Sequence, residues 1–318
     1  MPPLCQSRGR FLIAAAVPLA ASIPRALAAQ SGPGVRVAAT ANDTYAEAYY
    51  ADALGSFKKA GLDVEIQTFT AGGPVTAAVA GGAADIGIAG APTIAAASLH
   101  GIPFQFLAAG GIYTSDHPTT GIVVATDGPI KTARDFEGQS IAVGAIKDGN
   151  WLAAVAWIDT HGGDASKVKF VELPFAEMGP AIKRGTIAGG TLPEPSQTRA
   201  MKTGGLRMFA HHFDAYGKRT LIGGWFARAE WIAANAATAR RYAGVIYQTA
   251  RWANARPAES APILANVSKI DDETMRTMIR CHYGESLTPA LVQSQLDLSV
   301  KYGVLDRAVA ARDILATT

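Results

Sequence analysis

Between Phe57 and Ala89 the sequence alternates apolar segments with glycines, and this pattern strongly constrains the fold. The segment 57–61 ends a helical pattern at a glycine, 62–69 alternates as a strand, and 71–75 opens a further helix. Residues 81–89 repeat the glycine stop and add a buried strand. Strands joined by a short helix are parallel in one sheet, and such sheets bind ligands at the carboxyl ends of their strands. The sequence therefore predicts an α/β fold with a ligand-binding edge.

The first 28 residues have the composition of a secretory signal peptide. Arg8 and Arg10 precede an apolar run over 11–21, and small residues follow at 26–28. The run is shorter than the ~20 residues that span a bilayer. We expect cleavage near Ala29 and a periplasmic mature protein. Arg8-Gly9-Arg10 is not a twin arginine, which favours the general secretory route.

Removal of this segment changes the charge of the chain. The full sequence has 29 Lys+Arg and 26 Asp+Glu, and residues 1–28 hold three of the arginines and no acid, so the mature chain carries 26 of each. A neutral balance predicts no nucleic-acid partner. Cys5 lies in the signal peptide, so Cys281 is alone in the mature chain and no intramolecular disulfide is expected. We interpret Cys281 as a small buried side chain on a helix.

The strand and helix alternation restarts at Gly121 and changes character after Leu221. Upstream, one helix is predicted from Tyr45 to Ala60. The second α/β unit has predicted strands at 122–125, 140–144, 168–173, 186–188 and 206–211. From residue 229 onward the pattern is helical, with predicted helices at 229–235, 237–255, 258–266, 271–283, 289–302 and 308–316. We expect this helical tail, without strands, to cover the first sheet.

Four segments resemble motifs of one protein family. They are Tyr49–Gly61 with Leu62-Asp63-Val64-Glu65, Gly81–Gly87, Asp135–Val143 and Met178–Pro195. In this order, after a signal peptide, they are similar to ABC-transporter solute-binding proteins of the nitrate/sulfonate/taurine and thiamine-pyrimidine-precursor type. The resemblance covers roughly residues 35–230. It implies a two-lobed α/β fold of the periplasmic-binding-protein class (type II-like), with mixed, mostly parallel sheets, flanking helices and a helical C-terminal tail.

The resemblance also implies how the chain is divided and what it does. Lobe one would comprise residues 29–117 and 222–318, and lobe two residues 118–221, with hinges near 117–121 and 214–221. The implied function is capture of a small organic or anionic solute between the lobes and its delivery to ABC permease subunits in the inner membrane. We expect a monomer without cofactor, metal site or catalytic residue.

Loops at helix N-termini are the predicted ligand site, because free backbone N–H groups and the positive dipole end attract polar oxygens. Candidate residues in lobe one are Asn42, Tyr45, Gly72, Gly73, Pro74, Ala91 and Trp225. Candidates in lobe two are Asn150, Trp151 and Glu194. The two glycines would let a solute approach the backbone, and the aromatic rings of Tyr45 and Trp225 would stack on a planar solute.

Several of these residues also have an ordinary structural interpretation. Asn42 is typical of a helix cap, Trp151 of a lobe core, and Glu194, fixed between Pro193 and Pro195, of a helix N-terminus. At the cleft, Glu194 would accept hydrogen bonds from an amine or a ring N–H. The candidate loops contain no arginine, and Lys147 is their one cation, so a bidentate anion clamp is not visible. This favours a neutral or aromatic, heterocyclic solute.

Three other functions fit a similar fold. An enzyme that makes the thiamine pyrimidine carries a cysteine-rich segment, whereas this mature chain has Cys281 alone. His211 and His212 are adjacent on a predicted strand, point to opposite faces and do not chelate together. The ligand-sensing half of a transcription regulator has a DNA-binding helix-turn-helix and lacks an export signal, and this sequence meets neither condition. A stand-alone sensory binding protein stays open as an alternative to transport.

Overall fold

A computed structural model describes residues 34–70 and 72–317. The predicted signal peptide, residues 1–28, and Ala71 of the predicted glycine loop lie outside the described residues. The strands are β1 (Val35–Thr40), β2 (Val64–Phe69), β3 (Ile86–Ala89), β4 (Phe104–Ala109), β5 (Gly111–Thr114), β6 (Thr120–Ala125), β7 (Ser140–Val143), β8 (Lys169–Glu172), β9 (Gly189–Pro193), β10 (Leu206–Ala210), β11 (Arg219–Leu221), β12 (Gly224–Arg228) and β13 (His282–Tyr283).

Helices cover both faces of the sheets. They are α1 (Glu47–Ala53), α2 (Ser56–Lys59), α3 (Gly72–Ala80), α4 (Ala91–Leu99), α5 (Gly149–Thr160), α6 (Phe175–Lys183), α7 (Ser196–Lys202), α8 (Ala229–Ala234), α9 (Ala236–Ala255), α10 (Pro257–Ser268), α11 (Asp272–Thr277) and α12 (Gln293–Lys301). Short 3₁₀ helices include Asp43–Tyr45, His212–Tyr216 and Ala311–Ile314. No helix of the described residues combines the length and the apolar character that crossing a membrane requires.

The strands form two five-stranded sheets and one small sheet. The first sheet has the order β2-β1-β3-β12-β4, and the second has the order β10-β6-β9-β7-β8. The third sheet, β11-β5-β13, is antiparallel and contains the two strands that lead out of and back into the first sheet. The sheet membership supports the predicted return of the chain to the first sheet after residue 221.

Both large sheets are mixed, with more antiparallel pairing than expected. Each has two parallel pairings, and each also has two antiparallel pairings. The reason is the crossing of the chain. β6 enters the second sheet beside the end of β9, with Thr120 opposite Pro193, and β12 enters the first sheet with Gly224 opposite Ala89. A strand that enters at the carboxyl edge must run against its neighbours.

Several predicted elements differ from the observed ones. The helix predicted over 45–60 is divided, because Gly55 adopts a left-handed φ of 65° between α1 and α2. The strand predicted at 186–188 begins at Gly189 and runs through Pro193. The helix predicted over 271–283 ends at Thr277, where Met278 becomes extended, and β13 then pairs with β5. The tail is therefore not purely helical.

The first sheet is packed on both faces by apolar clusters. On one face Val37, Ile88 and Trp225 pack against α1 and α9, and on the other Phe104 and Phe226 pack against α3, α4 and the C-terminal segment. Glycine at position 87 permits this contact, because an added Cβ would lie 2.8 Å from Val79 Cγ2 and 2.9 Å from Phe226 Cε1.

We predict that Gly87→Ala lowers the free energy of unfolding by about 1–3 kcal/mol, because the added methyl group overpacks the core. The matched control is Gly244→Ala on α9, where an added Cβ has nothing within 4 Å. The control is expected to raise stability by up to ~1 kcal/mol through helix propensity. Urea unfolding measures both, and a Gly87→Ala protein as stable as the wild type would contradict the close packing of α3 over β3.

Candidate functional site

The carboxyl edges of the two large sheets carry the loops that the sequence singled out. Residues 41–46 follow β1, residue 90 follows β3, residues 144–148 follow β7, and residues 194–195 follow β9. The two edges lie close together, because α4, which follows β3, contacts α5, which follows β7. A hydrogen bond also joins the backbone N–H of Ile279, in the segment before β13, to Glu194 Oε1, over 3.4 Å.

The loop after β1 is fixed by a buried ion pair. Arg280 Nε donates to Asp43 Oδ1 over 3.0 Å, and the backbone N–H of Cys281 and the Tyr283 hydroxyl donate to the same carboxylate. Burial raises the pKa of the Asp43 carboxyl, and the guanidinium beside it opposes that rise. Arg280 also donates to the Tyr50 hydroxyl and to Ser260 Oγ. The cation next to this loop is thus engaged by protein groups.

Asn42 is half-buried and does not cap the following helical turn. Its Nδ2 donates to Thr40 Oγ1 over 3.0 Å, while its buried Oδ1 has no hydrogen-bond partner among the described residues. The capping interpretation of Asn42 is therefore wrong, because the side chain turns back toward β1. The unpartnered oxygen is available to a donor group of a bound molecule.

Tyr45 belongs to the same loop, and its ring lies beside Gly223, where an added Cβ would be 2.8 Å from Tyr45 Cε1. Its pKa is raised by burial and then by the nearby carboxylates, of which Asp148 contributes most. Asp148 precedes α5 of the second sheet and caps that helix by accepting from the Trp151 backbone N–H over 2.8 Å. Burial raises the pKa of Asp148 to about 6. The charge of Asp148 therefore disfavours the ionised form of the Tyr45 phenol.

Asn150 lies in the first turn of α5 and is held by the second sheet. Its Oδ1 accepts from Thr120 Oγ1 over 3.1 Å and lies 3.4 Å from His212 Nε2. His212 is fully buried, its Nδ1 has no partner within the described part of the chain, and burial lowers its pKa to about 3. This imidazole is neutral at physiological pH. Trp151 packs edge-to-face on Phe170 at 6.0 Å, which supports its interpretation as a core side chain.

Glu194 is buried, with 5% of its surface exposed. Gln197 Nε2 and Thr198 Oγ1 donate to its Oε1, and the Thr198 backbone N–H donates to its Oε2. The carboxylate therefore stabilises the first turn of α7. Gln197 Oε1 is itself buried and lacks a partner among the described residues.

Trp225, in β12, and Glu47, at the start of α1, are both fully buried. Trp225 is the second residue of β12 and is fully buried, in edge contact with Tyr242. The expectation that Trp225 stacks on a solute at a strand end is corrected, because its ring belongs to the core of the first sheet. Both oxygens of Glu47 are buried without hydrogen-bond partners in the described chain, and burial raises its pKa to about 8.

The remaining predicted residues are placed as follows. Gly72, Gly73 and Pro74 form the exposed first turn of α3, and an added Cβ at either glycine meets nothing within 4 Å. Ala91 is fully buried at the start of α4. Asn42 and Tyr45 thus lie in the loop after β1, Asn150 and Glu194 lie at the carboxyl edge of the second sheet, and residues 72–74 are exposed to solvent.

Two cavities elsewhere contain none of the ten predicted residues. One, of about 350 Å³, borders the third sheet and is lined by residues such as Arg219, Arg280 and His282. The other, of about 910 Å³, lies between the start of β7 and the ends of β6 and α6. Within the described ranges no three His, Cys, Asp or Glu side chains form a metal-binding group.

Comparison with known proteins identifies the family. The sequence profile described as "NMT1/THI5 like" matches residues 42–260, which is more than half of the chain. This chain belongs to the NMT1/THI5-like family. A comparison with curated protein sequences gives no significant match.

Solved structures similar to this NMT1/THI5-like chain have the periplasmic-binding-protein fold. The periplasmic aliphatic sulphonate binding protein SsuA from Escherichia coli is 17% identical with a TM-score of 0.74, covering 89% of this chain and 92% of that one. The periplasmic nitrate-binding protein NrtA from Synechocystis PCC 6803 is 15% identical with a TM-score of 0.75, covering 88% and 84%. A ligand-binding component of an ABC-type import system from Staphylococcus aureus, with zinc bound, is 14% identical with a TM-score of 0.76, covering 89% and 96%. The predicted family and the two-lobed α/β fold are confirmed.

Sequence reasoning missed several residues of this NMT1/THI5-like site. Asp43 and Asp148 lie at helix starts, where an aspartate indicates capping, and the adjacency of His212 to His211 raises only the question of metal binding. Gln197 and Glu47 gave no signal beyond an isolated polar residue near a helix start. Arg280 lies far away in the sequence, inside a predicted helix, so its pairing with Asp43 needs the fold.

We predict that Glu47→Gln removes a pH-dependent loss of stability. The folded-state pKa of Glu47, about 8, exceeds its unfolded value, so the folded chain holds the extra proton and wild-type stability falls as pH rises from about 4.5 to 8. Between pH 5 and pH 8, the free energy of unfolding of Glu47→Gln should therefore rise by roughly 3 kcal/mol relative to that of the wild type.

Urea unfolding at pH 5, 6.5 and 8 measures this gain. The exposed Glu177→Gln on α6 is the control and should follow the wild-type pH dependence. If the free energies of unfolding of the wild type and Glu47→Gln changed equally with pH, the Glu47 carboxyl would not be buried as described.

Proposed function

We propose that this chain is a solute-binding protein that closes on a small molecule between the carboxyl edges of its two large sheets. One observation carries the proposal. Buried polar atoms without protein partners in the described chain come from both sides, namely Asn42 Oδ1 from the first sheet and Gln197 Oε1 and His212 Nδ1 from the second. Buried polar groups are normally hydrogen-bonded, so these atoms fit contacts to a bound molecule.

The site favours a solute with little negative charge. Asp148, with a pKa raised to about 6, is ionised at neutral pH and would repel an added anion, whereas the Glu47 carboxyl, with a pKa of about 8, keeps its proton. Arg280 is engaged by Asp43, and His212 is neutral. We therefore propose a neutral or nitrogen-containing heterocyclic solute, although the similar proteins named above bind sulphonate and nitrate.

The delivery route follows from the family. Similar proteins belong to ABC import systems, so we propose that this chain hands its solute to ABC permease subunits in the inner membrane, as a monomer and without catalysis. The proposed lobes are residues 29–117 with 222–318 and residues 118–221, and the membership of β12 in the first sheet supports this division. A stand-alone sensory role would use the same site.

We predict that a solute of the proposed class raises the melting temperature by mass action. A thermal-shift screen should include aminopyrimidines, aromatic acids, alkanesulfonates and nitrate. In Asn42→Ala the affinity for the hit should fall roughly threefold to tenfold, the value of one hydrogen bond. Asn235→Ala, whose Nδ2 donates to Trp231 O, is the control and should bind like the wild type. Equal affinity of Asn42→Ala and wild type would remove Asn42 from the site.

We also propose export to the periplasm with cleavage of the N-terminal segment. Expression in a Gram-negative host should yield a periplasmic form that begins near Ala29, because Ala26 and Ala28 give the small-x-small pattern that precedes a cleavage site. N-terminal sequencing of the periplasmic fraction measures this. An exported chain that retained Met1 would contradict cleavage, and a chain confined to the cytoplasm would contradict export.

A further inference from the structure

α7 and the segment 269–279 meet across the two large sheets. α7 packs on the second sheet, where Ala200 joins a cluster with Val123 and Met178. The segment 269–279 packs on the helices of the first sheet, where Met275 and Met278 join a cluster with Tyr50. Contacts between α7 and this segment therefore connect one lobe to the other.

Two ion pairs form at this junction. Arg199 Nη2 lies 3.5 Å from Asp271 Oδ2 and also donates to the Lys269 carbonyl over 3.4 Å. Lys202 Nζ lies 3.4 Å from Glu273 Oε1, and the Glu273 side chain is 72% exposed. Both pairs bring a cation of α7 to an acid at the start of α11. Exposed pairs of this kind are individually weak and are screened by salt.

Glu194 makes the buried contact of the same junction. Its Oε1 accepts from the backbone N–H of Ile279 over 3.4 Å, in addition to the three donors from Gln197 and Thr198. Three of these donors share Oε1 and one bonds Oε2, so one lone-pair position of Oε2 has no protein donor among the described residues. Protein donors thus take most of the acceptor positions of the Glu194 carboxylate, and one of these donors, the Ile279 N–H, comes from the other lobe.

We propose that Glu194, Arg199 and Lys202 form a closure latch that holds α7 against the segment 269–279. Glu194 then acts as a positioning residue that favours the closed arrangement, rather than as a direct contact to the solute. This inference deepens the proposed function and rests on it, because the closed arrangement is the one that holds a solute.

The latch has a kinetic consequence for solute release. A protein that binds only in its closed arrangement has an apparent Kd equal to the intrinsic Kd divided by the closed fraction. Loss of a latch contact lowers that fraction, so the solute should dissociate faster. Because the ion pairs are exposed, high salt should have the same effect on the wild type.

The first test needs no solute. Amide hydrogen exchange at Ile279 should be roughly threefold to tenfold faster in Lys202→Glu than in wild type, because the variant places two acids together and loosens the junction. Lys202→Glu combined with Glu273→Lys restores opposite charges and should restore slow exchange. Arg184→Glu, an exposed charge change on the second lobe, is the matched control and should exchange like the wild type. Equal exchange in Lys202→Glu and wild type, or no restoration by the swap, would overturn the latch.

The second test uses the hit from the thermal-shift screen. The dissociation rate should rise threefold or more in Lys202→Glu and return to the wild-type value in the swap. Unchanged dissociation in Lys202→Glu would overturn the latch while leaving solute binding intact. Slow exchange at Ile279 that depends on the charge pair, in a protein that binds no solute, would instead support the latch and contradict the proposed function.

Discussion

The buried pair of Asp43 and Arg280 is the interaction on which the rest of the site depends. It joins the loop after the first strand to a segment 237 residues later in the chain. That segment adds β13 to the crossing strand β5, and its Ile279 N–H reaches Glu194 on the other sheet. Removing one partner of a buried ion pair typically costs about 3–5 kcal/mol. The pair therefore links the loop after β1, the crossing strands and the lobe junction, and it neutralises the charge of Arg280.

The route of the chain explains why each large sheet contains both parallel and antiparallel strand pairs. β6 and β12 each enter a sheet from the other lobe, at the edge where the solute loops lie, and each runs antiparallel to its neighbours. The crossing strands β5 and β11 pair with each other, with Thr220 opposite Tyr113. Two paired strands restrict the directions in which the lobes can move. We propose that relative motion of the lobes is a hinge about this pair of strands.

Local patterns in the sequence predicted much of the fold. Glycine stops and apolar runs predicted β2 and β3, the restart near Gly121 and most tail helices, and the ordered motifs predicted the family. Failures occurred where tertiary contacts override local preference. The 271–283 pattern is helical throughout, yet Cys281 and its neighbours leave the helix to bond Asp43 and pair with β5. Trp225 has the signature of a ligand platform, but only the packing of α9 shows that its ring is enclosed.

For the site, capping chemistry and ligand chemistry use the same residue types, so sequence alone did not separate Asp148 and Glu194 from Asn42. The central claim is that a solute binds between the two large sheets and closes them. The distance between spin labels at the exposed positions Lys58 and Glu177, one on each lobe, tests it most directly. With saturating solute, the distance distribution should narrow to a single, shorter distance than the mean of the free protein. A solute that binds and leaves the distribution unchanged would contradict the account.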